Sequence, residues 1–307
     1  MQDFKQFSKR TFPRIFSMLH EVRMGCYRLI GMVSPRLLIR IWYSNVHHET
    51  INLDNPQTLD EKINWLKLNG DISMWTRCAD KYLVRDYVKE KGLGFTLNTL
   101  YGVYERAEDI DFEALPDSFV LKTNNGGGGK NVLIVKDKSK LDKSDARKKL
   151  AKWLKSKPWL MYYEPQYKDM SPKIIAEKYL EPNNGETSLV DIKINCINGK
   201  AYSVFLCSDR EPGKSVHYSV YDLNWTIHPE KVKPEYRTEK IYPRPSSFEK
   251  MIAFSECLSK GIPYVRVDWY EINGSPVFSE MTFTPAGGFQ GFYTMDYLNE
   301  MGEKLTL

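Results

Sequence analysis

Long apolar runs are missing from the 307 residues. No charge-free stretch reaches the roughly 18 residues that a spanning helix needs, so a transmembrane helix is excluded. Arg14, Glu21, Arg23 and Arg28 interrupt every apolar stretch near the start, so a secretory leader is not expected. Cysteine is sparse: five residues (26, 78, 196, 207 and 257), an odd and scattered set without a CxxC pair. That pattern argues against a disulfide framework and a zinc knuckle, and for reduced thiols in a cytoplasmic protein. Repeats and low-complexity tracts are absent too, which removes solenoids and disordered tails. The composition that remains is 42% hydrophobic and 27% charged, with 13% aromatic residues, that of a globular chain large enough for two lobes.

Charge is unevenly placed. The net value is +5, yet residues 1–48 carry eight basic and two acidic side chains, which is +6, and the other 259 residues hold 36 basic against 37 acidic. A nucleic-acid binder spreads a basic stripe over its folded domain, so no nucleic-acid partner is expected. The basic segment also has helical spacing: Phe12, Ile15, Phe16, Leu19, Val22 and Cys26 follow one stripe, with Thr11 as cap and Pro13 in the first turn. Such a helix either packs on its own protein or lies on an anionic membrane surface, here the inner face of the cytoplasmic membrane.

Four segments are expected: a basic helical one (1–50), an N-terminal subdomain (51–115), a small lobe (116–180) and a large lobe (181–307). Thr58 and Glu61 form a capping box opening a helix to about Leu68, and a second helix is expected over Asp80–Lys91, stopped by Gly92. Short β runs follow at 119–123, 131–135, 174–180, 189–196, 201–207, 264–271 and 276–283, with helices at 144–155 and 247–259. Asn198-Gly199 and Asn273-Gly274 mark hairpins. Strand groups with interspersed helices predict an α+β fold.

The most informative stretch runs from Phe119 to Val135. Two β runs flank Gly126, Gly127, Gly128 and Gly129, with Lys122 ending the first strand and Lys130 closing the loop. Glycines let backbone N–H groups turn toward an anion and let the chain lie against phosphates, and the lysines add point charges. The loop is not a Walker A motif, because Asn124 and Asn131 stand where Gly and Ser or Thr are required. Nucleotide phosphate is the expected ligand.

Residues 264–283 read as a second hairpin. With Val265, Val267 and Trp269 on the core face, Arg266 and Asp268 face the other way, and Glu280 and Thr282 join them if Asp268 lies across from Glu280. A strict two-residue turn pairs Asp268 with Ser279, so a three-residue loop at Asn273–Ser275 with a bulge is expected. Opposed carboxylates repel unless a cation lies between them, and their oxygens suit Mg²⁺. Asp109-Ile110-Asp111 supplies the alternative, a DxD-like metal motif of a glycosyltransferase.

In order, Asp80-Lys81-Tyr82, Lys122 with the glycine loop, Ala176–Leu180, Arg266-x-Asp268 and Glu280-x-Thr282 resemble the ATP-grasp superfamily. More narrowly, Asn55–Lys62, Leu115-Pro116, Asp191-x-Lys193, Asn198-Gly199-Lys200 and Glu280–Pro285 are similar to its TupA-like branch, related to teichuronopeptide synthesis for surface polysaccharides. The resemblance implies an ATP-grasp fold holding ATP between two antiparallel β lobes. It further implies a ligase that activates a sugar carboxylate as an acyl phosphate and joins it to an amine. It places Lys81 and Lys122 on the nucleotide, and Glu177, Lys178 and Leu180 at the adenine hinge. Mg²⁺ falls to Asp268 and Glu280, and the transferring phosphate to Arg266. Lys130 would help neutralise that phosphate. Asp191, Lys193, Asp209 and Arg210 are assigned to ribose, phosphate or substrate. The family usually has Asn where this chain has Thr282.

Overall fold

The computed structural model describes residues 13–126, 131–157, 159–182, 189–208 and 216–307. Gly127, Gly128, Gly129, Lys130, Asp209 and Arg210 lie outside them. The fold is α+β, as expected, with two separate antiparallel sheets.

Two helices, α1 (Pro13–Val33) and α2 (Pro35–His47), precede α3 (Leu59–Asn69). The capping box opens α3 as the sequence requires: Glu61 N donates to Thr58 Oγ1 at 3.2 Å and Thr58 N donates to Glu61 Oε2 at 3.1 Å. The single helix expected over 80–91 is instead two, α4 (Ser73–Ala79) and α5 (Val84–Glu90). Asp80 breaks them, because its Oδ1 accepts the N–H groups of Tyr82 and Leu83 and so caps a fresh turn.

The small sheet has the order β1-β4-β2-β3, from β1 (Leu100–Tyr104), β2 (Phe119–Thr123), β3 (Val132–Val135) and β4 (Ile174–Lys178). Phe119, Leu121, Ile174 and Ala176 bury one face under α6 (Lys143–Leu154). Alternation then forces Val120, Lys122, Ile175 and Glu177 onto the opposite face. A short helix α7 (Trp159–Tyr162) leads into β4.

The large sheet has the order β7-β6-β5-β8-β9, from β5 (Ile192–Ile197), β6 (Lys200–Ser208), β7 (His217–Tyr221), β8 (Tyr264–Ile272) and β9 (Ser275–Thr282). Ile194, Cys196, Val265, Val267 and Trp269 pack against α8 (Phe248–Ser259). At one end of the other face, Ile197, Phe205 and Tyr264 meet Tyr293 and Tyr297 of the C-terminal region, where α9 (Met295–Lys304) lies against α3. Lys62 ties those ends together, donating to the carbonyls of Gly302 (2.8 Å) and Leu305 (2.7 Å).

Asp268 does pair with Glu280, but not through the expected device. The turn is the strict two-residue kind, with Ile272 opposite Ser275 and both Asn273 (φ 50°) and Gly274 (φ 72°) left-handed. The extra residue is Ser279, inside β9: Trp269 pairs with Phe278 while Asp268 pairs with Glu280. The bulge also turns Phe278 inward, so this ring packs edge-on against Trp269 at 5.7 Å, not beside Glu280 as the unbroken alternation required.

Candidate active site

Two polar rows cross the centre of the large sheet. Strand register aligns Lys193 (β5), Asp268 (β8) and Glu280 (β9) in one, and Asn195, Arg266 and Thr282 in the next. Lys193 Nζ lies 2.5 Å from Asp191 Oδ2 and contacts Asp268 Oδ2. Arg266 grips Asp268 with two parallel hydrogen bonds of 2.7 Å and reaches Thr282 Oγ1 at 3.3 Å and Glu280 Oε1 at 3.6 Å. Burial pushes the Asp268 carboxyl up, against the pull of Arg266 and Lys193. Burial would do the same to Glu280, but Lys81, Lys193 and Arg266 hold it well below the usual carboxylate range.

Lys81 joins this row to the glycine loop. Its Nζ lies 3.2 Å from Glu280 Oε2 and donates to Gly126 O at 2.6 Å. Local capping explains the placement: Asp80 Oδ2 accepts from Asn124 Nδ2 at 2.7 Å, which fastens the turn carrying Lys81 to the end of β2. On the small sheet, Lys122 Nζ sits 2.7 Å from Glu177 Oε2. Arg85 lies 3.4 Å from the other oxygen of Glu177 and donates to Asn98 O at 2.7 Å. Arg85 stands in the first turn of α5, four residues after Lys81. Lys178 is exposed on the other face of β4, and its N–H and carbonyl join Thr99 O and Asn98 Nδ2. Leu180 is half-buried beyond the strand end.

A second polar network, not visible in the sequence pattern, borders the site. Lys67, whose ammonium burial pulls down to about 7, donates to Asn64 Oδ1, Tyr162 O and Gly287 O at 2.8–2.9 Å. Asn64 donates to Gly288 O, and Asp60 accepts from both nitrogens of Gln290. One polar side of α3 thus holds the segment after β9, where Ala286, Gly287 and Gly288 are all left-handed. Glu164 accepts from Thr284 Oγ1 at 2.7 Å on the same border, and burial raises its carboxyl.

The DxD-like acids are used locally: Asp109 pairs with Arg106, and Asp111 Oδ1 accepts from Glu113 N. Tyr218 stacks on Phe205 and Tyr221 on Trp225, as core packing. No cluster of three or more His, Cys, Asp or Glu side chains forms a ready metal cage among the described residues. Asp268, Glu280 and the Thr282 hydroxyl do offer an all-oxygen set of the kind Mg²⁺ takes, balanced here by Lys81, Lys193 and Arg266. By donor chemistry the set fits that ion.

The family model for TupA-like ATP-grasp proteins matches residues 61–306. The chain belongs to the TupA-like ATP-grasp family. ATP-grasp proteins are ATP-dependent ligases, and the chain is an enzyme of that class. No curated protein matches it in sequence. Similar solved structures include D-alanine–D-alanine ligases from Bacillus anthracis (18% identity, 75% of this chain and 67% of that one, TM-score 0.43) and Helicobacter pylori (14%, 83% and 70%, 0.43). Phosphoribosylamine–glycine ligase from Thermotoga maritima is another (16%, 69% and 50%, 0.42). The chain thus spans about two thirds of the first two relatives and half of the third.

Proposed function

We propose that this ATP-grasp enzyme is a carboxylate–amine ligase of surface-polysaccharide synthesis, forming an amide between a uronic-acid carboxylate and an amino compound through an acyl phosphate. The observation that carries the reading is the unbroken chain Gly126–Lys81–Glu280–Arg266–Asp268–Lys193. It sets alternating charges against the start of the glycine loop. Such an arrangement suits a polyanion that gains and loses charge on oxygen, where catalysis is positioning plus electrostatic stabilisation.

In the proposed reaction a carboxylate oxygen attacks the γ-phosphorus of ATP. The bond to the bridging oxygen breaks and its electron pair leaves with ADP. The amine then adds to the acyl carbon, the acyl carbon–oxygen bond to phosphate breaks with its electron pair leaving on inorganic phosphate, and the nitrogen gives up a proton to that phosphate as the amide forms. Lys122, steadied by Glu177, and Lys81 bind the phosphate chain, while Gly126–Gly129 and Lys130 cover it. Glu177, Lys178 and Leu180 line the adenine edge. Arg266, held flat by Asp268, faces the transferring phosphoryl group, and Lys193 keeps Asp268 in place with Asp191 beyond it. Mg²⁺, when bound by Asp268 and Glu280, would neutralise phosphate oxygens. The small sheet, with the glycine loop, and the large sheet, with the acids, are proposed as the two lobes.

The test is mass spectrometry of products from ATP, Mg²⁺ and a panel of uronates and amino acids. An amide formed with one ADP per turnover supports the reading. ADP release with no new amide, or transfer from a nucleotide sugar instead, rejects it.

A further inference from the structure

Helix α1 leaves its broad apolar face uncovered. Met18, Leu19, Val22, Leu29, Met32 and Val33 are each 58–79% exposed, and Leu37 at the start of α2 continues the patch. At 100° per residue these positions, with Cys26, fill one arc of about 140° on the helix. Among the described residues nothing covers this face, while the opposite side of the helix is docked. Gly31 is buried so tightly that a Cβ there would lie 2.9 Å from Leu38 Cδ2 and 3.0 Å from Leu160 O. Tyr27 packs on Trp42 at 5.1 Å, and Met24 is buried. A docked surface helix normally turns polar residues outward, so this pattern is inverted.

Charge identifies the occupant. By the same angular estimate Arg23 and Arg28, both exposed, stand about 40° outside the two borders of the apolar arc, with exposed Glu21 about 20° outside it on the Arg28 side. Arg40 of α2 is exposed as well, and Arg36 of the same helix pairs with Asp54. Residues 1–48 sum to +6 while the remainder is close to neutral. A second copy would set +6 against +6 and is disfavoured by like charge. Nucleic acid supplies the negative charge but nothing for six aliphatic side chains. An anionic lipid surface supplies both. No described helix is long and apolar enough to cross a membrane, so α1 would lie in the interface plane. We infer that the exposed face of α1 docks the enzyme on anionic lipid bilayers.

The experiment is flotation of the full chain with phosphatidylcholine vesicles, with and without phosphatidylglycerol, at low and high salt. Two surface variants accompany it, Val22→Glu/Leu29→Glu and Arg23→Glu/Arg28→Glu. Circular dichroism and ADP release serve as controls of fold. The expected result is binding to the phosphatidylglycerol vesicles at low salt, weakened by salt. Each variant should weaken it about tenfold or more while folding normally. Absence of flotation at low salt overturns the inference, as does binding that the Val22→Glu/Leu29→Glu chain retains in full. A dimer in light scattering, broken by Leu29→Glu without any vesicle binding, overturns it in favour of a self-interface.

Discussion

Replacing Lys193 with Met tests the central row directly. The ammonium is almost fully buried between Asp191 and Asp268, and methionine fills similar space without charge. Breaking a buried ion pair by removing one partner costs about 3–5 kcal/mol, because the remaining charge stays desolvated. Asp268 keeps its two bonds from Arg266, so the lower end, about 3 kcal/mol, is expected. For a chain of 307 residues that lowers Tm by roughly 5 °C. The sign with pH is also fixed. Without the ammonium, the Asp268 carboxyl, which burial already raises, loses one of the two cations that pull it back and rises further above its unfolded value. The folded variant therefore binds more protons, and its stability falls as pH rises. Its deficit against the parent should be greatest near pH 7 and shrink toward about pH 5. Adding Asp191→Asn should recover on the order of 1 kcal/mol, measured as a coupling by urea titration of all four proteins. A loss under about 1 kcal/mol with a flat pH profile would falsify the alignment of Lys193 with the two acids.

Further expectations concern acid, packing and thiols. Glu280 is held below its unfolded value, so its ionisation contributes stability above about pH 4.5 that is lost as pH falls further. The stability gap between Glu280→Gln and the parent should therefore close on acidification, and a gap constant from pH 7 to 3 counts against the Lys81 and Arg266 contacts. Asp268→Asn should abolish substrate-dependent ADP release, and full turnover would remove Asp268 from the site. Gly302→Ala would set a Cβ 2.0 Å from Gln57 O and 2.8 Å from Thr58 C, both backbone, and should cost about 3 kcal/mol in urea unfolding. Native alkylation at pH 8 should label exposed Cys26 first, while Cys78 and Cys196, whose thiols burial pushes up to about 12, stay unmodified until the chain unfolds.

The carboxylate hairpin was legible because period-two alternation and an Asn-Gly turn are local signals. Asp268 across from Glu280 followed from requiring both acids on one face, although the sequence could not say where the extra residue sat. Ser279 looks like any strand residue until Trp269 and Phe278 claim the core. The partnership of Lys122 with Glu177 was hidden because it depends on β4 lying beside β2, a pairing of segments some 50 residues apart. Strands β1 and β7 escaped notice for a related reason. Leu100–Tyr104 carries a glycine and only partly buried side chains, and His217–Tyr221 mixes polar and aromatic residues, so their neighbours define them rather than their composition. In sequence Lys67 is indistinguishable from an ordinary surface charge on a helix, because its burial depends on the carbonyls of Tyr162 and Gly287, far along the chain.

Lys62 and Gly302 stand 240 positions apart, yet the lysine satisfies carbonyls at the close of α9 while its own helix forms near the beginning. A nascent chain on the ribosome therefore cannot give Lys62 both of its carbonyl partners until residue 305 has emerged from the exit tunnel. Until residues 264–297 are made, Leu59 and Ile63 lack the tyrosine-rich cover they meet in the fold, and chaperones have access to this strip for that period.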